Sequence, residues 1–234
     1  MALEVRAVKV ARRDRASEGI RICGHQDETH FMKRRYSVVD YTIRLNHPAN
    51  TDSLGTANGG ISDRAFPLFG MVWPSSIALA HLLLDRDITA QRILEVGCGL
   101  GLVSQLLKLH GADITAMDIH PIVGDLLARN CRLNRIGPIP FVAASWGDHH
   151  TDLGSFGLIV ASDVLYEPDH VRTLPGFLRN HIHRDGEVII VDPDRGQSDL
   201  FLDSMVRAGF DASVQESADP NFVGLIMHFV DTGQ

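Results

Sequence analysis

The chain has 234 residues, of which 44% are hydrophobic and 22% charged, a composition typical of one globular domain with a modest extension. Its three widely spaced cysteines suggest neither a disulfide framework nor a zinc knuckle, and no apolar run approaches the roughly 18–20 residues that cross a bilayer. The net charge of −7 argues against nucleic-acid binding, because an acidic body repels a phosphate backbone. We therefore expect a cytoplasmic protein without a membrane or nucleic-acid partner.

The first sixty residues are typical of an extension that precedes the main domain. Residues 36–45 alternate loosely between apolar and polar positions, which indicates a strand. Residues 46–60 are rich in Asn, Gly, Ser and Thr, which predicts a loop. We divide the chain into an N-terminal extension, residues 1–60, which could act as a lid or docking surface, and a main domain, residues 61–234.

The main domain alternates between helical and strand-like segments. Helices are predicted over residues 74–84, 102–110, 121–133, 169–180 and 198–208. Strands are predicted over residues 92–96, 114–117, 141–144, 158–161 and 187–191, followed by 212–215 and 223–230 with no helix between them. Such alternation indicates an α/β fold, a mostly parallel sheet with helices on both faces. The last two strands predict a C-terminal antiparallel hairpin.

A glycine loop joins the first strand of this sheet to the helix that follows. Glycines at 97, 99 and 101 let the backbone bend sharply and approach a ligand closely. The helix N-terminus adds free N–H groups. In open α/β sheets, ligands bind at the carboxyl ends of the strands. The loop therefore predicts a site for a nucleoside cofactor.

The spacing of the loop favours S-adenosylmethionine over a dinucleotide. A dinucleotide site has the pattern G-x-G-x-x-G, but Leu102 stands where the third glycine would fall. Glu95 lies two residues before the first glycine, where a carboxylate suits the cationic methionine end of S-adenosylmethionine. Asp118 ends the second strand, where it can accept hydrogen bonds from the ribose hydroxyls of either cofactor.

These residues resemble the first motif of class I S-adenosylmethionine-dependent methyltransferases. More specifically, the chain resembles the seven-β-strand protein-lysine methyltransferases and bacterial relatives labelled predicted nicotinamide N-methyltransferases. The likeness covers residues 66–230 and includes Val72-Trp73-Pro74-Ser75, Asn130, Asn134, Ser145-Trp146-Gly147, Asp163-Val164-Leu165-Tyr166 and Asp192-Pro193-Asp194-Arg195. It implies a Rossmann-like seven-stranded methyltransferase sheet, with S-adenosylmethionine as cofactor and S-adenosylhomocysteine as product.

The resemblance also implies which residues contact the cofactor. Trp73 would line the pocket and Trp146 would flank the adenine. A flat indole suits either position because it buries a large area and stacks on a purine, although each could instead be a core residue. The residues expected to bind the cofactor are Trp73, Glu95, Gly97, Cys98, Gly99, Gly101, Asp118, Ile119, Trp146 and Ser162.

Asp163 and Tyr166 follow the fourth strand, match the D-x-x-Y pattern of the family and are the expected catalytic residues. A lysine amine, whose pKa in solution is about 10.4, must lose its proton before it accepts a methyl group. Asp163 could orient the ammonium by a charge-assisted hydrogen bond, and Tyr166 could exclude water from the amine. Alternatively, Asp163 could cap the helix that begins near Pro168.

The nature of the methyl acceptor stays open between two classes. Enzymes that methylate adenine or glutamine have prolines where Val164 and Leu165 stand, which disfavours a nucleobase. A protein lysine is the leading hypothesis, with a small heteroaromatic or amine similar to nicotinamide as the second. A cofactor-binding interaction module without catalysis is the third. The histidines within 149–150 and 181–183 lack a recognisable ligand spacing, so we expect no metal.

Overall fold

The computed structural model describes residues 31–48, 68–147 and 151–233. The helices are α1 (Pro74–Leu84), α2 (Leu102–Leu109), α3 (Ile122–Asn134), α4 (Pro168–His181) and α5 (Ser198–Arg207), with short 3-10 turns at Leu68–Gly70 and Thr151–Leu153. The strands are β1 (Phe31–Val38), β2 (Tyr41–Pro48), β3 (Arg92–Val96), β4 (Asp113–Asp118), β5 (Phe141–Ala143), β6 (Phe156–Ser162), β7 (Ile182–Asp192), β8 (Phe210–Glu216) and β9 (Leu225–Asp231). None of the described helices is long and apolar enough to span a membrane.

Seven strands form the main sheet, in the order β5-β4-β3-β6-β7-β9-β8. The pairs among β3, β4, β5, β6 and β7 are parallel, whereas β9 pairs antiparallel with both β7 and β8. The predicted α/β fold with a C-terminal antiparallel hairpin is therefore confirmed. The insertion of β9 between β7 and β8 was not predicted, because local sequence patterns do not show which edge of a hairpin joins a sheet.

Alternating residues of the central strands face two separate cores. Ile93 of β3 belongs to the core that α1, α2 and α3 cover, whereas Leu94 belongs to the core under α4 and α5. Successive strand residues point to opposite faces, and both faces of β6 are apolar for the same reason. Two-sided burial explains why the central strands are continuous apolar runs.

Most predicted boundaries agree with the structure to within two or three residues, and β7 is the main exception. This strand begins directly after α4, at Ile182, whereas the sequence predicted it over 187–191. Ile182 pairs with Phe156 and Glu187 pairs with Leu158, so the register shifts between these pairs. The additional residues contain Gly186, where a Cβ would lie 2.8 Å from the carbonyl oxygen of His183. A bulge of this kind has no periodic sequence pattern.

The described part of the extension is an antiparallel hairpin of β1 and β2, in place of the single strand predicted over 36–45. Residues 46–48 of the predicted loop belong to β2, and the remainder of that loop lies outside the described residues. Ile43 and Leu45 are fully buried and join the core on the side of α1, α2 and α3. The hairpin therefore packs on the main domain as a fixed part of it.

Two asparagines of α3 hold β2 in place. The side-chain oxygen of the fully buried Asn130 accepts hydrogen bonds from the backbone and side-chain nitrogens of Asn46, at 2.8 and 3.0 Å. Its side-chain nitrogen donates to the carbonyl of Leu100 in the glycine loop, at 3.2 Å. Asn134 pairs with both backbone groups of Arg44, at 2.8 and 2.7 Å, as a neighbouring strand would. The hairpin and the glycine loop thus share one anchoring side chain.

Replacing Asn130 by alanine should lower the free energy of unfolding by about 1–3 kcal/mol, because buried partners lose their hydrogen bonds. Urea denaturation of the Asn130→Ala variant measures this change. Arg132→Ala is the matched control, since Arg132 is an exposed residue on the same helix. Equal stability of the two variants would contradict the anchoring role of Asn130.

Candidate active site

The candidate site lies at the carboxyl ends of β3, β4 and β6. The chain order reverses at β3, which has β4 on one side and β6 on the other. At such a switch point the connections leave in opposite directions and open a crevice. The glycine loop follows β3, Asp118 ends β4, and Asp163 follows β6. The topology therefore gathers the main groups of predicted site residues at one edge of the sheet.

The glycine loop has a backbone conformation that residues other than glycine rarely adopt. Gly97, Gly99 and Gly101 have φ angles of 69°, 51° and 72°, in the left-handed region. A Cβ at Gly99 would lie 3.2 Å from the carbonyl oxygen of Phe69, and one at Gly101 would overlap the side chain of Leu127. Glycine is therefore required at these positions by both backbone angle and space.

Asp118 connects the end of β4 to the glycine loop. One carboxylate oxygen accepts a hydrogen bond from the backbone N–H of Gly99 at 3.0 Å, and the other from that of His120 at 3.1 Å. Burial raises the pKa of Asp118, although the two N–H groups oppose this effect. The next residue, Ile119, is 61% exposed despite being apolar. A polar acceptor and an uncovered apolar surface thus lie side by side.

Glu95 is buried below the loop, with 2% of its surface exposed. Its carboxylate accepts hydrogen bonds from the backbone N–H of Ser104, at 2.8 Å, and from the Ser104 hydroxyl. The pKa of Glu95 is raised to about 7, chiefly by burial and to a smaller extent by the nearby Asp118, while the Ser104 hydrogen bonds oppose this rise. The described hydrogen bonds of Glu95 therefore reach the first turn of α2, and its expected contact with the methionine end of the cofactor stays a prediction.

A 3-10 turn covers the glycine loop. The backbone of Phe69 in this turn lies over Gly99, and its ring lies 4.7 Å from the ring of His120. The indole N–H of the half-buried Trp73 donates to the carbonyl of Leu68 at 3.2 Å. Within the described residues, the buried Nδ1 of His120 has no hydrogen-bond partner. Phe69 was not predicted as a site residue, because its backbone contact with Gly99 spans thirty positions of sequence.

An aromatic cluster forms the other wall of the crevice. His170 of α4 makes edge contacts with the rings of Trp146, at 4.5 Å, and Tyr166, at 4.7 Å. Its Nδ1 lies 2.7 Å from the carbonyl oxygen of Val164, so this nitrogen carries the proton and donates. Burial raises the pKa of Tyr166 to about 12, with further contributions from Glu167 and other carboxylates, so the phenol stays protonated.

Asp163 occupies the turn that follows β6, with a φ angle of 53°. Its backbone N–H donates to the carbonyl of Val191 at 2.9 Å, which fixes the turn against β7. Its carboxylate accepts two hydrogen bonds from Arg195, at 2.7 and 3.1 Å. The cap residue of α4 is Glu167, so the alternative that Asp163 caps this helix is wrong. The sequence did not predict Arg195 as a partner of Asp163.

The two remaining residues of the predicted cofactor set are also at this edge. Ser162 is the last residue of β6 and pairs with Val191. Cys98 is buried, and its backbone N–H donates to the carbonyl of Met117 at 3.0 Å. Burial raises the pKa of the Cys98 thiol well above its usual value. A thiol in this state is a weak nucleophile, so Cys98 contributes its small side chain and its backbone to the loop.

The glycine loop and the D-x-x-Y segment contact each other. A Cβ at Gly97 would lie 2.9 Å from Cγ1 of Val164, which stands between Asp163 and Tyr166. The expected cofactor loop and the expected transfer residues are therefore adjacent. The residues at this edge fit S-adenosylmethionine: backbone N–H groups and a carboxylate suit polar nucleoside groups, and the uncovered Ile119 suits a purine face. Among the described residues, no group of three or more His, Cys, Asp and Glu side chains could hold a metal ion.

The raised pKa of Glu95 predicts a pH-dependent stability. The folded protein binds the Glu95 proton more tightly than the unfolded chain, whose glutamate has a pKa of 4.5. The resulting stabilisation is present below pH 4.5 and is lost as the pH rises through about 7. Between about pH 5 and 8, the free energy of unfolding of the wild type should fall by about 2–3 kcal/mol more than that of Glu95→Gln. Urea denaturation at several pH values tests this, and parallel profiles for the two proteins would refute it.

Comparisons with known proteins agree with this geometry. A family model described as lysine methyltransferase matches residues 67–208, which is more than half of the chain. The electron transfer flavoprotein beta subunit lysine methyltransferase of Mus musculus is 35% identical over 135 residues, 56% of this chain and 52% of the relative. The protein of the same name from Danio rerio is 30% identical over 185 residues, 77% of this chain and 69% of the relative. The chain spans about half the length of the mouse relative.

Solved structures support the fold. Magnesium protoporphyrin IX methyltransferase from Synechocystis, crystallised with bound S-adenosylmethionine, superposes with a TM-score of 0.56. The match covers 68% of this chain and 78% of that protein, with 15% sequence identity, so it shows the fold alone. The predicted class I methyltransferase fold is thereby confirmed, and the family match supports the predicted cofactor, S-adenosylmethionine. The chain belongs to the lysine methyltransferase family of S-adenosylmethionine-dependent enzymes.

Proposed function

We propose that this chain transfers a methyl group from S-adenosylmethionine to the side-chain amine of a lysine in a protein. The observation that carries this proposal is the contact between Gly97 of the cofactor loop and Val164 of the D-x-x-Y segment. This contact sets Asp163 and Tyr166 next to the place where the cofactor would bind. The names of these two relatives, both lysine methyltransferases, supply the acceptor class, a protein lysine.

Several residues would hold the cofactor. The ribose hydroxyls would donate to Asp118, whose carboxylate oxygens each keep a lone pair beyond their present bonds. The adenine would lie between the exposed Ile119 and Trp146. The methionine end would lie over the glycine loop, near Glu95 and Trp73. These positions follow the predicted set, in which Gly97, Cys98, Gly99, Gly101 and Ser162 contribute backbone around the same crevice.

The protein residues would act on the acceptor amine by position and environment. S-adenosylmethionine supplies a methyl group on a positively charged sulfur, which leaves as a neutral thioether. Asp163 would accept a hydrogen bond from the amine and aim its lone pair at this methyl group. Tyr166, protonated and 42% exposed, would form the wall that separates the amine from bulk water. Removal of water disfavours the charged ammonium and so favours the nucleophilic amine.

The rim of the site favours a large acceptor over a small one. Tyr166 and Arg195 are both exposed, so a side chain carried on another protein could contact them. The hairpin of β1 and β2 is anchored to α3 through Asn130. We retain the division into residues 1–60 and 61–234 as an organisational proposal.

The free, buried thiols of Cys98 and Cys131 support a reducing, cytoplasmic location.

Tritiated S-adenosylmethionine incubated with the chain and a whole-cell protein extract should yield tritiated methyl-lysine after acid hydrolysis. Chromatography against mono-, di- and trimethyl-lysine standards identifies the product. Label found only in a small amine or heteroaromatic compound would support the second acceptor class and contradict the first. S-adenosylhomocysteine binding without any labelled product would indicate a non-catalytic module.

Replacing Asp163 by asparagine should reduce methyl-lysine formation by about a hundredfold or more, because the two-bond pairing with Arg195 that orients this side chain toward the acceptor amine is lost. Cofactor affinity, measured by calorimetry with S-adenosylhomocysteine, should change little. Asp169→Asn serves as the control, since Asp169 lies nearby on α4 with 83% of its side chain exposed. Unchanged transfer by Asp163→Asn would show that this carboxylate has no role in the reaction.

A further inference from the structure

Arg195 occupies the transfer site, and the chemistry proposed above does not use it. Its two terminal nitrogens donate to the two carboxylate oxygens of Asp163, at 2.7 and 3.1 Å. The side chain of Asp163 is 8% exposed and that of Arg195 is 42% exposed. A bidentate pair of this kind is both strong and directional. The carboxylate is therefore buried, and the guanidinium that pairs with it reaches the surface.

The loop after β7 holds Arg195 in this position. The carboxylate of Asp192 accepts a hydrogen bond from the backbone N–H of Asp194 at 2.8 Å, and Asp194 has a φ angle of 56°. The guanidinium carbon lies 5.9 Å from the ring centroid of Trp73, within the range of a cation–π contact. The turn at Asp194, the Trp73 ring and the Asp163 carboxylate thus together hold Arg195 in place.

The ionisable groups around Asp163, besides Arg195, are Asp192, Asp118, Glu167, Tyr166 and His170. Asp192 at the end of β7 raises the pKa of Asp163, after the larger effect of burial, while Arg195 lowers it. Asp118 and Glu167 lie near enough to raise the pKa of Tyr166, which is protonated. His170 packs on Tyr166 from α4. Without Arg195, a lysine entering this crevice would meet Asp192, Asp118 and Glu167 besides Asp163. The other basic group here is His170, whose Nε2 lies 3.7 Å from the Glu167 carboxylate.

That environment would work against methyl transfer. Carboxylates close to an ammonium stabilise its charged form and raise its pKa, whereas only the neutral amine has the lone pair that attacks a methyl group. A guanidinium keeps its charge at all physiological pH values. Paired with Asp163, it cancels the charge of that carboxylate and repels a second cation, yet leaves lone pairs on the carboxylate oxygens for a hydrogen bond.

We propose that Arg195 is a positioning residue that fixes the Asp163 carboxylate and keeps the acceptor lysine in its uncharged, nucleophilic form. This inference rests on the proposed lysine methylation. The ammonium first gives one proton to water. The nitrogen lone pair then forms the new C–N bond while the electrons of the C–S bond stay on sulfur, and the methylated nitrogen, now positively charged, releases its second proton to water.

The pH dependence of kcat separates this role from a purely structural one. Methyl-lysine formation from the protein extract would be measured with tritiated S-adenosylmethionine between about pH 6.5 and 9.5. In Arg195→Gln the midpoint of the rising limb of the rate–pH profile should move up by about one pH unit or more. At pH values below this midpoint, the rate should therefore be about tenfold lower than that of the wild type. The deficit should shrink toward the high end of the range. Arg195→Lys, which keeps the charge, should retain a midpoint close to that of the wild type.

Controls distinguish failure of this inference from failure of the proposed function. Arg172→Gln removes a cation from the exposed face of α4, where 80% of the side chain is exposed, and should leave the profile unchanged. A loss in Arg195→Gln by the same factor at every pH, with unchanged S-adenosylhomocysteine binding, would overturn the proposed role. An Arg195→Gln profile identical to that of the wild type would also overturn it. Absence of methyl-lysine with the wild type would instead overturn the proposed function.

Discussion

The main chain of residues 97–101 takes left-handed conformations at three glycines, and a different part of the molecule presses against each one. The contacts are Val164 against Gly97, the backbone of Phe69 against Gly99 and Leu127 against Gly101. A side chain at any of these positions would push away the transfer segment, the cover turn or α3. The loop is thus the point at which these three elements meet, and the absence of side chains there is what allows the crevice to form.

Two polar residues extend this arrangement in opposite directions. Asp118 ties the end of β4 to Gly99, and Asn130 ties β2 to the carbonyl of Leu100. The ribose-binding candidate, the N-terminal hairpin and the glycine loop are therefore connected by direct hydrogen bonds. A buried polar group of this kind costs free energy unless it is paired, so the fold keeps the hairpin and the cofactor site in a fixed relation. The hairpin is part of the scaffold of the site and not an appendage to it.

Much of the fold could be predicted from the sequence, because strand alternation, helical periodicity and the G-x-G-x-G spacing are local patterns. The residues at the ends of β3 and β4 followed from the rule that ligands bind at the carboxyl ends of parallel strands, and Asp163 and Tyr166 after β6 followed from the family resemblance. Two pairings could not be predicted, because their partners lie far apart in the sequence. Asp163 and Arg195 are 32 positions apart, and Asn46 and Asn130 are 84 positions apart. The bulge in β7 was missed for a similar reason, because its register depends on its neighbour.

The proposed methyl transfer depends most on the position of the cofactor between the glycine loop and Asp163. A crystal structure of the chain with S-adenosylhomocysteine tests this directly. We expect the ribose hydroxyls on Asp118, the amino-acid end over the glycine loop, and the sulfur facing the carboxylate of Asp163 with Arg195 still paired to it. A ligand bound at another edge of the sheet, or one whose sulfur faces away from Asp163, would contradict the account.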